Sequence, residues 1–230
     1  MKFSQMPYER PDIEEIKKQV AALTGKLKDA ENYAAAREAF LELEELEKHI
    51  DTCQTLVSIR HSIDTRDKFY DEENDFWNNA SPELQEYFHE WEFAMMAGRF
   101  KADFTAEFGD LMFINTEMSL KAFSPEIIPE LQKENELADG YEKLLASAKV
   151  RFEGKEYTLS QMTPFKTDAD DTRRLAAWKA EGEWYKEHQA ELDDYYDKLV
   201  HLRDEMGKKL GYGLGWCSDR SRTRDGPRGA

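Results

Sequence analysis

Residues 12–30 read DIEEIKKQVAALTGKLKDA, and their apolar side chains recur at alternating spacings of three and four residues. Side chains at these spacings lie on one face of an α-helix. Asp12, followed three residues later by Glu15, is typical of a capped helix start. The stretch therefore predicts a helix with one narrow apolar seam, which consists of Ile13, Ile16, Val20, Leu23, Leu27 and Ala30.

The next residues, 31–57, read ENYAAAREAFLELEELEKHIDTCQTLV and carry a second helical pattern. Glutamates and Lys48 occupy the opposite face of this predicted helix. The connection between the two patterns is only a few residues long, and short connections make consecutive helices antiparallel neighbours. We therefore predict a helical hairpin over 12–63, in which the second apolar face consists of Phe40, Leu43, Leu46, Ile50, Cys53 and Val57.

The rest of the chain up to residue 212 predicts further helices and one strand pair. Residues 64–123 are rich in aromatic side chains, which we interpret as core. Ser81-Pro82-Glu83 and Ser124-Pro125-Glu126 each predict a helix start, with a capping serine and a first-turn proline.

The stretch 149–159, KVRFEGKEYTL, alternates about Glu153-Gly154 and predicts a β-hairpin. Apolar spacing over 168–210 predicts one long helix.

The expected fold is thus mostly α: a multi-helix lobe over 1–212 with long antiparallel helices and one small β-hairpin. Residues 213–230, GLGWCSDRSRTRDGPRGA, differ in composition, since they contain four glycines, four arginines and no lysine. They show neither a helical nor a strand period. We predict that this segment is unrelated to the lobe and disordered.

Composition argues against several classes of partner. The 230 residues carry 32 Lys and Arg against 48 Asp and Glu, a net charge of −16, which disfavours binding to nucleic acid phosphates. No apolar run reaches the length of about 18 residues that a membrane span needs, and the first residues contain no signal-peptide pattern. Cys53 and Cys217 form no C-x-x-C pair. We expect a soluble, cytoplasmic protein without nucleic acid or membrane partners.

Residues 89–93, HEWEF, come close to the H-E-x-x-H motif of zinc peptidases, in which two histidines one turn apart bind the metal. Phe93 stands where the second histidine would be, and phenylalanine cannot ligate a metal. A packed or surface role is therefore favoured for His89 over metal binding.

Two other histidines have carboxylates close to them in the sequence. His201 has Asp197 and Glu205 four residues to either side, as in a di-metal helical bundle, but a solvated ion-pair face is favoured. His61 with Asp64 could form an acid–base pair, yet no G-x-S-x-G elbow and no glycine-rich phosphate loop occurs. The residues alone predict no catalytic, cofactor-binding or metal-binding side chain, and they favour an interaction or scaffold protein.

Several segments, in order along 1–212, resemble the bacterial oligoendopeptidase F group of zinc metallopeptidases, which are relatives of thimet oligopeptidase. They are MKFSQMPYERPDIEE at the start, SIRHSIDTRDKFYDEENDFWN at 58–78, FSPEIIPELQKENEL at 123–137, FEGKEYTLSQMTPF at 152–165 and YDKLVHLRDEMGKKLGY at 196–212.

This resemblance implies a helical lobe that forms one wall of a deep cleft for short peptides. In the family, zinc is held by an H-E-x-x-H helix and a downstream glutamate, and no position here matches those residues. The expectation is an N-terminal portion that lacks the catalytic zinc domain, binds no zinc itself and is inactive alone. The alternative is a non-enzymatic helical module that binds peptides or proteins. The change of composition after residue 212 fits either a frame shift or a natural short paralogue.

Overall fold

The computed structural model describes residues 3–212. Within this range the chain forms nine α-helices and one two-stranded antiparallel hairpin, which confirms the mostly α fold class. None of the helices described is long and apolar enough to cross a membrane. The segment 213–230, predicted to be a disordered tail, lies outside the described residues. The helices are α1 (Ile13–Asp29), α2 (Tyr33–Ile63), α3 (Lys68–Ala97), α4 (Lys101–Phe108), α5 (Leu111–Ala122), α6 (Ile128–Ala146), α7 (Thr163–Lys166), α8 (Asp171–Glu187) and α9 (Gln189–Lys209).

The chain divides into two compact units. Among the described residues, the first unit comprises 3–132 and 204–212, and the second unit comprises Lys133–Arg203. The boundaries fall inside α6 and α9, so each of these helices contributes residues to both units.

The first unit is built on α1, α2 and α3, which pack against one another. Asp12 caps α1 by accepting hydrogen bonds from the backbone N–H groups of Glu14 and Glu15, and Asn32 caps α2 in the same way. The apolar seams of α1 and α2 are buried together with aromatic side chains from α3, α4 and α5. The buried set includes Val20, Leu23, Leu43, Val57, Trp77, Leu84, Trp91, Phe104 and Phe113.

The predicted helix start at Ser81-Pro82-Glu83 is wrong, because α3 runs through it without a break and Pro82 lies inside the helix. An interior proline removes one backbone hydrogen bond and disfavours a helix locally. Here Trp77 and Leu84 on either side of Pro82 are buried in the core, and this packing outweighs the local preference. The second predicted start is correct in position: Ser124 accepts from the N–H of Glu126 and caps the 3₁₀ turn Pro125–Ile127 that leads into α6.

The second unit contains the hairpin of β1 (Val150–Phe152) and β2 (Lys155–Tyr157). Glu153 and Gly154 adopt φ of 49° and 77°, the left-handed conformations that a tight two-residue hairpin turn requires. Val150 and Phe152 point into a small core with Ala148, Met162, Ala177 and Trp184. Because β1 packs against α8, the hairpin has the helical support that two isolated strands lack.

The single long helix predicted over 168–210 is also wrong. Asp170 caps α8, which ends at Glu187, and α9 begins at Gln189. Between them His188 has φ −104° and ψ 10°, outside the helical range. The His188 ring stacks on Trp184 at 4.3 Å between centroids, and its Nδ1 lies 2.8 Å from the Trp184 carbonyl oxygen. The helix is interrupted at this one residue, which apolar spacing does not reveal.

Within the second unit, Gly140 of α6 lies directly under Tyr195 of α9. A Cβ atom at position 140 would come within 2.7 Å of the Tyr195 hydroxyl oxygen and 3.0 Å of the ring. Glycine is therefore what lets the tyrosine ring rest on the α6 backbone.

Candidate functional site

The HEWEF segment lies on α3 and serves packing. The ring of His89 is half-buried and its centroid lies 5.2 Å from that of Phe123. Glu90 is exposed, and Phe93 is 63% exposed. The segment therefore has neither the second histidine nor the converging carboxylate that a zinc-binding helix supplies.

His201 lies on the surface of α9 and is 71% exposed. Its Nδ1 is 2.8 Å from the Asp197 carbonyl oxygen and 3.4 Å from Oδ1 of the same residue. Glu205 is exposed as well. The arrangement is an i,i+4 contact within one helix, which is common on acidic helices.

His61 and Asp64 do not form the acid–base pair that their spacing allows. Asp64 ends α2 and accepts hydrogen bonds from Arg66. His61 is 2% exposed, and its Nε2 lies 3.3 Å from Oδ1 of Asp71 on α3. The buried histidine therefore joins two helices of the core.

Cys53 is buried on α2, with its Sγ 4.0 Å from the carbonyl oxygen of Glu9. Burial raises the pKa of its thiol above the ordinary value. Since the thiolate is the nucleophile and the metal ligand, this environment suits an inert packed side chain. The other cysteine, Cys217, lies outside the described residues.

The zinc that the family resemblance implies does not fit the part of the chain that is described. Zinc sites in proteins need about three or four converging nitrogen, sulfur or oxygen ligands. Residues 3–212 contain no group of three His, Cys, Asp or Glu side chains that could hold a metal ion. No catalytic step is assigned to a metal on these residues.

A polar cluster that sequence reasoning missed joins the N-terminal segment to α3. Glu73 is buried, and Arg10 binds its carboxylate through Nη2 at 2.7 Å and Nε at 3.0 Å. The Tyr8 hydroxyl donates to Glu73 Oε2 at 2.5 Å and accepts from Trp77 Nε1 at 3.3 Å. The sequence signal for this cluster is Glu73 four residues before the core residue Trp77, because this spacing places a carboxylate on the buried face of the helix.

The pKa shifts in this cluster indicate a structural role. The hydrogen bonds from Arg10 hold the pKa of Glu73 below its ordinary value, and the bond from Tyr8 acts in the same direction against burial. Burial and the hydrogen bond to Glu73 raise the pKa of Tyr8. A carboxylate that is held ionised and fully bonded is a poor proton acceptor, so the cluster is suited to fastening residues 8–10 and not to acid–base catalysis.

Two carboxyl groups of the first unit have the opposite shift. Burial, followed by the neighbouring Glu44, Asp51 and Glu92, raises the pKa of Glu47 to about 7. Burial also raises the pKa of Glu92, although the Ser119 hydroxyl donates to its Oε2 at 2.9 Å. The pKa of about 7 means that Glu47, on α2, changes its protonation state near neutral pH.

The second unit has an exposed apolar surface on α8, which we call the aromatic face of α8 and define as Leu175, Trp178 and Tyr185. Leu175 and Trp178 are each 55% exposed, and Tyr185 is also exposed. Lys166 Nζ lies 4.7 Å from the Trp178 ring centroid. Such exposed apolar groups are typical of surfaces that bind other molecules.

Comparison with known proteins gives the family. The model of the peptidase M3 N-terminal domain matches residues 3–123, more than half of the chain. No curated protein matches the chain.

Three solved structures match 98% of the chain each. One carries the name oligoendopeptidase F and is 36% identical, with a TM-score of 0.91. PZ peptidase A with an inhibitor is 35% identical, also with a TM-score of 0.91, and a protein from Bacillus anthracis str. Ames, again named oligoendopeptidase F, is 36% identical, with a TM-score of 0.90.

The chain covers 40 to 42% of the length of these structures. Its 230 residues correspond to their N-terminal portion and contain no H-E-x-x-H sequence. Since the family model matches more than half of the chain and three structures match almost all of it, the chain belongs to the peptidase M3 N-terminal domain family.

Proposed function

We propose that the chain is the N-terminal lobe of an oligoendopeptidase F-like zinc metallopeptidase that hydrolyses short peptides. The observation that carries this proposal is the 36% identity and TM-score of 0.91 over 98% of the chain. The residues that bind zinc and cleave the peptide belong to the part of the relatives that this chain does not match. On this proposal the helical lobe helps to form the wall against which peptides bind.

A chimera tests the proposal directly. Residues 3–212 would replace the matching portion of the Bacillus anthracis relative, and cleavage of a quenched fluorescent peptide would be measured with zinc and with a chelator. We expect chelator-sensitive cleavage by the chimera, with the intact relative as the control. A chimera that folds and binds zinc but leaves the peptide uncleaved would contradict the proposal.

The 230-residue chain by itself provides the complementary measurement. We expect no stoichiometric zinc after dialysis and no turnover of the same peptide, because the described residues lack a converging ligand set. Stoichiometric zinc with chelator-sensitive cleavage by the pure chain would overturn the assignment of catalysis to the unmatched portion.

We also propose a cytoplasmic location, which the free thiol of Cys53 supports, because unpaired buried thiols persist in reducing compartments. Cell fractionation with detection of the protein would test it, and recovery of the protein outside the cytoplasm would argue against it.

A non-enzymatic interaction module is the second candidate, and the aromatic face of α8 is the observation that favours it. If this face binds a protein or peptide, the chain alone should form a defined complex that Trp178→Glu disrupts. Light scattering with size-exclusion chromatography measures this. A monomer that is the same for the wild type and the variant, and binds no peptide, would remove this candidate.

A further inference from the structure

The first unit contains a cavity of about 540 Å³ where three helix ends meet: the last turn of α1, the last turns of α3 and the start of α4. Cavities of about 300–1,000 Å³ are typical of sites for small molecules. Polar and apolar atoms line it in similar measure, and the apolar side chains include Leu27, Phe93, Met95, Ala97, Phe100 and Phe104. The exposure of Phe93 leaves its ring available at the edge of the cavity.

The charged side chains around this cavity are mostly cationic. Lys28, Arg99 and Lys101 line it together with a single carboxylate, that of Asp29, in a chain whose net charge is −16. Within residues 3–212, none of the three cations forms an ion pair with a carboxylate, whereas many other cations do, such as Lys26 with Glu42. The Glu117 carboxylate is close enough for Lys101 to lower its pKa, but its hydrogen bond comes from Lys121.

Helix stability accounts for only part of this arrangement. Lys28 lies in the last turn of α1, where a cation interacts favourably with the helix dipole. Arg99 donates a hydrogen bond to the carbonyl oxygen of Ala30 and lies over the Phe100 ring at 4.8 Å from its centroid. Both contacts hold the guanidinium at the cavity and leave other N–H groups of its fork for a ligand.

The helix dipole does not account for the position of Lys101. Lys101 is the first residue of α4, the end at which a cation is unfavourable. Its Nζ lies 5.2 Å from the Phe113 ring centroid, a cation–π contact that restrains the ammonium group, and the residue itself lines the cavity. A negative ligand in the cavity would offset the repulsion between this ammonium group and the helix end.

We propose that the cavity binds a small organic carboxylate with an apolar body, and that Arg99 and Lys101 bind the carboxylate while Phe93 and Phe100 contact the apolar part. This site goes beyond the peptidase function. Two sources share this chemistry: a free fatty or aryl acid, and the carboxyl terminus of a short apolar peptide.

Calorimetric titration of the 230-residue chain tests the proposal with decanoate, the tripeptide Gly-Phe-Leu and the amide of the same tripeptide. We expect the tripeptide acid to bind at least about tenfold more tightly than its amide, since charge-assisted hydrogen bonds are lost in the amide. Tighter binding of decanoate than of the tripeptide would identify a fatty acid as the source, and the reverse order would identify a peptide terminus. Equal binding of acid and amide, or no binding of either acid, would overturn the proposal.

Variants locate the binding. Lys101→Gln leaves the bond between Arg99 and Ala30 untouched, circular dichroism checks its fold, and we expect at least about a fivefold loss of affinity for the acids. Ala97→Trp fills the cavity, and we expect it to abolish binding of the acids. Lys26→Gln removes a cation of α1 outside the cavity and serves as the matched control. A loss in Lys26→Gln equal to that in Lys101→Gln would indicate a general effect of charge and would overturn the site.

Discussion

The two units bury their cores differently. The first unit packs three long helices around many apolar side chains, with Phe104 in contact with the rings of Tyr33, Phe40 and Phe108. The second unit buries a smaller apolar cluster about its hairpin and adds ion pairs, such as Lys166 with Glu181 at 2.7 Å. The difference teaches that helical patterning alone does not tell how a unit is stabilised: both units contain a buried ion pair, and the first unit adds a much larger apolar core.

The largest effect is expected from Phe104→Ala in the first unit. Phe104 is 1% exposed, and truncating such a ring removes apolar burial and leaves a cavity, at a cost of about 3–5 kcal/mol in the free energy of unfolding. Urea denaturation measures it. Ile63→Ala is the control, because Ile63 is 74% exposed and its truncation should change stability by no more than about 0.5 kcal/mol. A loss below about 1 kcal/mol for Phe104→Ala would contradict the view that apolar burial stabilises the first unit.

The second prediction concerns the cluster of Tyr8, Arg10 and Glu73. Glu73→Gln should lower stability by about 2 kcal/mol at neutral pH, less than for a fully buried pair because Arg10 is half-exposed. Since Arg10 lowers the pKa of Glu73, its contribution is complete above the ordinary glutamate pKa of 4.5 and is lost as pH falls through the lower folded value.

Urea denaturation from pH 7 to pH 2 follows this loss. The difference between wild type and Glu73→Gln should shrink as the pH falls below about 4, the range in which a shifted carboxylate takes up its proton. The exposed Glu90→Gln on the same helix is the control. A difference that stays constant to pH 2 would show that the carboxylate charge is not what stabilises the cluster.

The third prediction concerns the buried ion pair of Lys166 and Glu181 in the second unit. Glu181 is 7% exposed, and Glu181→Gln should cost about 1–2 kcal/mol because the Lys166 ammonium group loses its anionic partner. Hydrogen exchange of α7 and α8 amides measures the effect in the unit itself. Glu183→Gln, on the exposed side of α8, is the control. Unchanged exchange rates would mean that apolar packing stabilises this unit as it does the first.

The smallest effect is expected at Glu47, and it is stabilising. Burial and nearby acids raise its pKa to about 7, so the carboxylate is ionised at a cost in the folded chain above that pH. Glu47→Gln should therefore stabilise the protein by about 1 kcal/mol at pH 8, a modest gain because solvent partly screens the group. The gain should disappear as pH falls from 7 to the ordinary value of 4.5, where both states bind the proton.

Thermal unfolding at pH 8 and pH 4.5 measures this pH dependence. Glu45→Gln, which removes a well-exposed carboxylate of the same helix, is the control. An equal gain at both pH values would mean that the change acts through packing and not through charge.

Much of the fold follows from local spacing. Helices α1 and α2 lie within the predicted segment 12–63, and both strands lie within 149–159. Such elements are predictable because their apolar periods and end residues act over a few neighbouring positions. Spacing fails at two places: core packing carries α3 through Pro82, and the break at His188 between α8 and α9 leaves no mark in the apolar pattern.

The sequence predicted the polar cluster and the cavity less well than it predicted the fold. HEWEF is a local pattern, and its departure from the zinc motif at Phe93 already argued against a metal site. The Tyr8 to Glu73 contact spans 65 positions, and the cavity is formed by the ends of three helices, so no short pattern contains either one. Resemblance to a family supplied the proposed function because its segments follow one another along residues 1–212.

The contact between Gly140 and Tyr195 has a consequence for how the sequences of homologous lobes can vary. A side chain at position 140 would push the Tyr195 ring away from the α6 backbone, so the packing seen here between these two positions requires glycine at 140. Among homologues the two sites should therefore covary, with glycine retained wherever the tyrosine is kept and larger residues admitted only beside a smaller partner.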